Sequence, residues 1–173
     1  KFWNDKKDKK FKDAYFNRFK NTWHHGDFAE IKKTRGFIIH GRSDTTLNPG
    51  GVRLGTAEIY SEVEKFKEIK ESIVVGQSWD NDVRIILFIV MNTKFLLTED
   101  LLKKIKIQIR KNASPRHVPN KVIVVKDIPR TKSGKIVELA VKNIIEGNNI
   151  KNKEALANPK ALEQFKNLKE LRS

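Results

Sequence analysis

The stretch "ESIVVGQSWDNDVRIILFIVM", residues 71–91, decides the fold, because it contains two apolar runs separated by a short polar segment. The runs predict two strands, joined by a turn around Trp79, Asp80 and Asn81. The second run is apolar on both faces, which is typical of a central strand. A shorter run, "VIVV" at residues 122–125, predicts a third strand.

Helical patterns surround these strands. Four predicted helices carry apolar residues on one face: Ile59, Val63 and Phe66 after a capping Thr56; Leu101, Ile105 and Ile109 after Thr98; Ile136, Ala140 and Ile144, with Val137 and Val141 beside them, after Lys135; and Leu162, Phe165, Leu168 and Leu171 after Asn158 and Pro159. Residues 152–157 are expected to be a linker before the last helix. The sequence therefore predicts an α+β fold, in which helices flank a roughly three-stranded sheet.

A basic turn lies in "KDIPRTKSGKIVELAVKNIIEG", residues 126–147. It is not a phosphate-binding P-loop, because Pro129 replaces the first glycine and Ile136 replaces the hydroxyl residue that would hold magnesium. A flexible Ser-Gly turn, a helix amino end and the cation of Lys135 would still suit an anion. The alternative is an ordinary helix start with an exposed lysine.

A second candidate is "GRSDTTLNPGGVRLG", residues 41–55. Asp44 follows a predicted strand, and Arg42 and Arg53 lie on either side of the pair Gly50 and Gly51. The Asn-Pro-Gly-Gly segment predicts a two-stranded hairpin, and its glycines would let the backbone approach a ligand closely. An ordinary hairpin remains the alternative.

A third candidate is "WHHGDFAE", residues 23–30. His24 and His25 are adjacent and should point apart, so we predict no metal site there. Asp27, which follows Gly26 in a predicted turn, is the better polar candidate. Its alternative is a turn aspartate that bonds its own backbone.

The composition limits the classes of function. The 173 residues contain no cysteine, which excludes disulfides and thiolate metal sites and fits a cytoplasmic protein. No apolar run approaches the roughly 18 residues of a membrane-spanning helix, so we predict no membrane partner.

The formal charge of +15 suits a polyanion partner. The lysines are spread along the whole chain, which favours a compositional bias with some phosphate binding over a nucleic-acid partner. Two other classes stay open, a basic nucleic-acid-binding module and a non-catalytic interaction domain. Steep, salt-sensitive binding of a DNA duplex would favour the first of them.

Taken in order, these stretches resemble the acyl-adenylate-forming enzymes, a superfamily of acyl-CoA synthetases, peptide-synthetase adenylation domains and luciferases. The segment "GFIIHGRSDTTLNPGGVRLGTAEIY" resembles their interdomain hinge, and "IPRTKSGK" resembles their catalytic-lysine loop. Within the superfamily, "SPRHVPNKVIVV" and "NPKALEQFKNLKELR" resemble the acetoacetyl-CoA synthetases. The acetyl- and propionyl-CoA synthetases are the alternative.

The resemblance implies a reaction and its cofactors. Acetoacetate, ATP and CoA would give acetoacetyl-CoA, AMP and pyrophosphate through an acyl-adenylate, with Mg²⁺ required. It also implies site residues: Lys135 as the catalytic lysine, Asp27 and Arg42 for the nucleotide, Asp44 as the hinge, and Asn48, Gly50, Gly51, Arg53 and Lys106 for CoA. Position 50 is glycine where the acetyl branch has serine, which puts a side-chain contact there in doubt.

The resemblance also implies a domain organisation. Residues 1–43 would be a remnant of the large amino-terminal domain, residues 44–150 the mobile domain with the lysine, and residues 151–173 a helical tail. The phosphate loop and acyl pocket are expected to lie upstream. Its own amino-terminal domain would then be the chain's protein partner, and the chain alone would be inactive.

Overall fold

The computed structural model describes residues 2–150 and 153–173. Strands β3 (Ile69–Trp79) and β4 (Asp82–Met91) pair antiparallel, and β5 (Lys121–Val124) pairs parallel to β4. The sheet order β3-β4-β5 puts β4 in the centre, as predicted from its continuous apolar run. The α+β fold with a three-stranded sheet is therefore confirmed.

Helices cover both faces of this sheet because successive strand residues point to opposite sides. Helices α2 (Ala57–Val63) and α3 (Glu99–Asn112) pack on one face, against alternate residues of β4 such as Ile85, Leu87 and Ile89. The Thr98 hydroxyl caps α3 by accepting a hydrogen bond from the Leu101 amide, as predicted. Two details of α2 differ: Thr56 makes no capping bond, and Phe66 lies beyond the helix end.

Helix α4 (Glu138–Ile145) and the tail cover the other face. The tail, residues 153–173, buries Leu162, Phe165 and Leu171 in one core with Ile86, Phe88 and Val90 of β4. This core and the one beneath α2 and α3 make the sheet the middle layer of the domain.

The tail is not the single helix that the sequence predicts. It forms three 3₁₀ helices, Lys153–Ala155, Pro159–Phe165 and Lys169–Leu171. Its apolar residues at 162, 165, 168 and 171 repeat every three positions, which is the period of a 3₁₀ helix and not of an α-helix. The spacing therefore carried a signal that the prediction missed.

The predicted linker is only partly described, since residue 151, where the predicted tail begins, and Asn152 lie outside the described residues. The following segment packs against the domain: Leu156 is buried and pairs with Thr131 through an isolated bridge. Residues 153–157 are therefore not the free linker that we expected.

A separate two-stranded hairpin precedes the domain. Strands β1 (Asp27–Ile31) and β2 (Phe37–Arg42) pair antiparallel, with an irregularity between Phe28 and Ala29. The short helix α1 (Lys9–Tyr15) lies upstream in a cluster of aromatic rings. The hairpin predicted at residues 46–55 is smaller than expected, a loop closed by one bridge between Leu47 and Leu54.

None of the helices that the structure describes is long and apolar enough to cross a membrane.

Gly55 lies just before α2 and next to His40 of strand β2. A Cβ atom there would lie 2.5 Å from the His40 carbonyl oxygen and 2.6 Å from Glu58 Oε2. We expect Gly55→Ala to lower the free energy of unfolding by about 1–3 kcal/mol, because the backbone oxygen must move. Urea denaturation measures this change. The matched control, Gly36→Ala, has its nearest neighbour at 3.7 Å and should stay within about 1 kcal/mol of the parent.

His117 is a buried imidazole whose Nδ1 lies 2.8 Å from Ser114 Oγ. Burial lowers the pKa of His117 below its ordinary value of 6.5, with the charge of Glu58 acting in the opposite direction. The unfolded chain therefore takes up this proton first as pH falls through 6.5, and the folded state loses stability there. We expect the free energy of unfolding to decline less between pH 7 and 5.5 in His117→Gln than in the parent, as measured by urea denaturation at each pH. An identical decline in both would contradict the assignment.

Candidate functional site

Three of the predicted site residues meet at one end of the β1–β2 hairpin. Strand register places Asp27 opposite Arg42, with Asp27 Oδ1 and Arg42 Nη1 3.9 Å apart. Arg42 also donates to both carboxylate oxygens of Asp44, at 3.3 and 3.2 Å, and to the His25 carbonyl at 3.0 Å. We call Asp27, Arg42 and Asp44 the Arg42 cluster.

Local backbone geometry explains this arrangement. Gly26 has a φ of +90°, and a Cβ atom there would lie 2.8 Å from Arg42 Nη2, so the guanidinium occupies space that only glycine leaves open. Asp27 is the first residue of β1 and does not lie in a turn, which corrects the prediction. Its Oδ2 accepts from His25 Nδ1 at 2.5 Å, and its other oxygen faces Arg42.

The electrostatics of the Arg42 cluster favour the charged form of the Arg42 guanidinium. The hydrogen bonds to Asp44 raise the pKa of Arg42, against the opposing effect of desolvation. All three side chains remain partly exposed, at 51% for Arg42, 45% for Asp44 and 32% for Asp27. The cluster can therefore offer carboxylate acceptors to hydroxyl groups, and Arg42 can meet a phosphate if Asp44 moves away.

Lys135 lies at the end of a tight turn, residues 130–136, which we call the lysine loop. An isolated bridge between Arg130 and Ile136 closes the loop, and Thr131 Oγ1 accepts from the Lys135 amide at 3.1 Å. Lys135 is exposed, and among the described residues its Nζ has no hydrogen bond or ion pair. The loop therefore presents an ammonium group on a well-defined backbone.

The predicted helix start at Lys135 is wrong, since α4 begins at Glu138. The Tyr60 hydroxyl donates to Glu138 Oε1 at 2.5 Å and accepts from the Val74 amide at 3.0 Å. Burial, followed by the charge of Glu138, raises the pKa of Tyr60 well above its ordinary value, so this hydroxyl stays protonated. An acidic side chain thus occupies the first turn of α4, and anion contact at this loop depends on the Lys135 side chain instead.

A second loop, residues 47–54, contains most of the residues predicted to bind CoA. We call it the glycine loop. Gly50 and Gly51 adopt left-handed φ values of +58° and +75°, and Asn48, Gly50, Gly51 and Arg53 are all exposed. The Gly50 amide donates to both carboxylate oxygens of Asp82, at 2.8 and 3.0 Å.

Sequence reasoning missed two residues at the glycine loop. Asp82, just described, and Arg116 both approach it, with Arg116 Nη1 3.9 Å from the position of a Cβ on Gly50. No spacing in the sequence points to Asp82. Lys106 lies half-buried on α3, and among the described residues no hydrogen bond or ion pair joins its side chain to the glycine loop.

The two loops lie at opposite ends of the β3–β4 pair. Arg130 of the lysine loop contacts Glu71, near the start of β3, whereas the glycine loop contacts Asp82, which pairs with Trp79 at the other end. Glu71 and Trp79 lie eight positions apart on β3, or about 26 Å at ~3.3 Å per residue. The structure therefore does not bring Lys135 together with the predicted CoA residues.

Within the parts of the chain that the structure describes, no three His, Asp or Glu side chains lie close enough together to hold a metal ion.

Comparisons with known proteins identify the family. The model of the AMP-binding enzyme C-terminal domain matches residues 58–135, and an acetoacetyl-coenzyme A synthetase of Rhizobium meliloti is 59% identical over 99% of this chain. The chain contains an AMP-binding enzyme C-terminal domain. The resemblance predicted from the sequence is thereby confirmed for the part of the family that this chain represents.

Further AMP-binding relatives agree. An acetoacetyl-CoA synthetase of Xenopus tropicalis is 47% identical over 99% of this chain. The solved acetoacetyl-CoA synthetase from Streptomyces lividans covers all of this chain with a TM-score of 0.89 and 38% identity. The chain spans only 26% of the length of each of these three relatives.

Proposed function

We propose that the complete protein is an AMP-forming acyl-CoA synthetase that converts acetoacetate, ATP and CoA into acetoacetyl-CoA, AMP and pyrophosphate. In this proposal residues 44–150 form its mobile domain, residues 1–43 belong to the large domain, and residues 151–173 form the tail. The observation that carries it is Lys135, an exposed ammonium with no partner among the described residues, on a well-defined loop at the last residue of the matched family domain. Acetoacetate is proposed from the names of the relatives.

In the first half-reaction, a carboxylate oxygen of acetoacetate attacks the α-phosphorus of ATP. The bond from that phosphorus to the bridging oxygen breaks, and pyrophosphate leaves. Lys135 approaches the carboxylate and α-phosphate and stabilises the negative charge that builds between them. Asp27 accepts hydrogen bonds from the ribose hydroxyls, and Arg42 contacts the nucleotide.

In the second half-reaction, the thiol sulfur of CoA attacks the acyl carbon. The bond from this carbon to the phosphate oxygen breaks, AMP leaves with the electron pair, and the thiol proton passes to solvent. Asn48, Gly50, Gly51 and Arg53 of the glycine loop line the CoA path, and Lys106 meets a CoA phosphate. The absence of side chains at positions 50 and 51 lets the backbone approach the pantetheine chain.

Rotation about Asp44 connects the two half-reactions. The two loops contact opposite ends of the β3–β4 pair, so we infer that the domain presents them to the acyl-adenylate in turn and not together. Asp44 lies in the turn that follows β2, where few backbone angles need to change. Its exposed contacts with Arg42 would break during the rotation.

Mg²⁺ enters this proposal with ATP, whose phosphate oxygens are its preferred ligands. The described residues provide no carboxylate cluster that could hold the ion by themselves. When bound, the ion would neutralise phosphate charge, and Lys135 of this chain would add a positive charge at the α-phosphate.

Acetoacetate-dependent exchange of pyrophosphate into ATP tests the proposal in the complete protein. We expect exchange with acetoacetate to exceed exchange with acetate or propionate at equal concentrations. Faster exchange with acetate would favour the acetyl-CoA synthetase alternative. No exchange with any carboxylic acid would contradict the proposal.

The 173-residue chain alone is expected to catalyse no exchange, because the phosphate loop and acyl pocket lie elsewhere in the complete protein. The same assay with the isolated chain checks this expectation, with the complete protein as the positive control. Exchange by the isolated chain that requires acetoacetate would contradict it.

A further inference from the structure

We propose that Arg130 and Asp82 are positioning residues, each serving one half-reaction. Arg130 holds the lysine loop for acyl-adenylate formation, and Asp82 holds the glycine loop for thioester formation. This inference rests on the proposed function and adds two residues to it that act through the groups touching substrate.

Arg130 connects the peptide next to Lys135 with the sheet. Its Nη1 donates to the Gly134 carbonyl at 3.1 Å, and its Nη2 lies 3.1 Å from Glu71 Oε2 on β3. Gly134 has a φ of +83°, so the chain turns sharply just before Lys135. A planar guanidinium with two contacts therefore fixes the orientation of the backbone next to Lys135.

Hydrogen bonds within the lysine loop join Gly134 and Lys135 to Thr131, whereas two backbone bonds to the tail hold only the first half of the loop. The Arg130 amide donates to Asn158 Oδ1 at 2.8 Å, and the Lys132 amide donates to the Ala155 carbonyl at 3.1 Å. These bonds fasten the incoming strand of the loop to the tail. Within the described residues, the Arg130 guanidinium is the side chain that joins the Gly134 end to β3.

Asp82 has the same relation to the glycine loop. The bridge between Leu47 and Leu54 closes the base of this loop, but Gly50 at its tip bonds outside the loop through the Asp82 carboxylate. Two consecutive left-handed glycines leave the tip with a large conformational freedom in solution. A carboxylate that accepts at 2.8 and 3.0 Å selects one of these conformations.

The two anchors share no partner and lie about 26 Å apart along β3 and β4. Perturbation of one loop should therefore leave the other in place, since effects of distant sites are usually independent. This separation predicts that each variant slows one half-reaction and leaves the other nearly unchanged.

The test uses Arg130→Met and Asp82→Ala in the complete protein, with both half-reactions measured in each preparation. Adenylation is followed by acetoacetate-dependent pyrophosphate exchange, and thioester formation by CoA-dependent consumption of supplied acetoacetyl-AMP. We expect Arg130→Met to lower kcat for adenylation about 10- to 100-fold with KM for ATP within about threefold, and to change thioester formation less than about threefold. Asp82→Ala should show the reverse pattern.

Conservative variants and matched controls separate positioning from folding. Asp82→Asn keeps one acceptor oxygen, and Arg130→Lys keeps a cation for Glu71, so both should recover part of the lost rate. Glu71→Gln should reproduce part of the Arg130→Met effect, and the double variant should lose less than the product of the two. The exposed residues Arg172 and Asp100 provide the controls Arg172→Met and Asp100→Ala, which should leave both rates within about twofold.

Equal loss of the two half-reactions in either Arg130→Met or Asp82→Ala would overturn the inference. Unchanged rates of both half-reactions in the two variants would also overturn it. If Arg130→Met does not fold, unchanged adenylation in a folded Glu71→Gln variant would overturn the Arg130 assignment. The unmodified protein distinguishes a failure of this inference from a failure of the proposed function. Its own acetoacetate-dependent exchange supports the proposed function even where the variants contradict this inference.

Discussion

Lys135→Ala in the complete protein is expected to slow acyl-adenylate formation by roughly 10²–10³-fold, the usual cost of removing one preorganised donor from developing negative charge. The lysine loop explains the size of this effect. Lys135 has no other partner among the described residues, so its charge is available to the substrate. Its backbone is fixed by the bond from its amide to Thr131 Oγ1. Pyrophosphate exchange with acetoacetate measures the change.

Lys132→Ala is the matched control for this experiment. Lys132 is an exposed lysine in the same loop, three residues before Lys135, and its removal changes the charge of the protein by the same amount. We expect exchange within about threefold of the parent. A comparable loss in both variants would show that general electrostatics, and not a placed ammonium group, explains the effect.

Phe165→Ala is expected to lower the free energy of unfolding by about 3–5 kcal/mol, the usual cost of truncating a fully buried aromatic side chain. Phe165 is completely buried, and its ring meets that of Phe88 on β4 edge-to-face at 4.9 Å. The tail would then be part of the core that supports the lysine loop. Urea denaturation of the 173-residue chain measures the loss.

Phe95→Ala is the control, because Phe95 is 37% exposed and lies in the turn after β4. We expect this change to cost less than half as much as Phe165→Ala. Equal effects, or a Phe165→Ala cost below about 1 kcal/mol, would contradict the packing of the tail into the core.

The central sheet could be predicted from the sequence because its signals are local. The run at 83–91 is too apolar for an edge strand, and the turn at residues 80–81, within the predicted turn at 79–81, separates it from β3. Helix α3 was predicted with its Thr98 cap, since the capping residue and the apolar spacing agree. These features need no knowledge of distant contacts.

The start of α4 could not be predicted because the apolar stripe continues beyond the helix. Ile136 and Val137 fit the helical spacing of Ala140 and Ile144, yet Ile136 pairs with Arg130 and Val137 has a φ of −116°. Loop closure by a tertiary bridge outweighed local propensity there. The helix amino end that was predicted to bind an anion therefore does not lie at Lys135.

The Arg42 cluster shows a different limit. Asp27, Arg42 and Asp44 were each singled out, but their proximity depends on strand register and on the irregularity between Phe28 and Ala29. A shift of one residue would turn Asp27 to the other face of the hairpin. Their roles with the nucleotide and at the hinge stay predictions, as do those of the glycine-loop residues and Lys106.

The ratio of the two half-reaction rates in Lys135→Ala tests the central claim most directly. The complete protein is given either acetoacetate with ATP, or preformed acetoacetyl-AMP with CoA, and the two rates are measured in the same preparation. The account predicts that adenylation falls by at least roughly 10²-fold while thioester formation stays within about threefold of the parent. An equal fall in both rates would contradict the claim that the mobile domain brings Lys135 to the substrate for adenylation and moves it away before thioester formation.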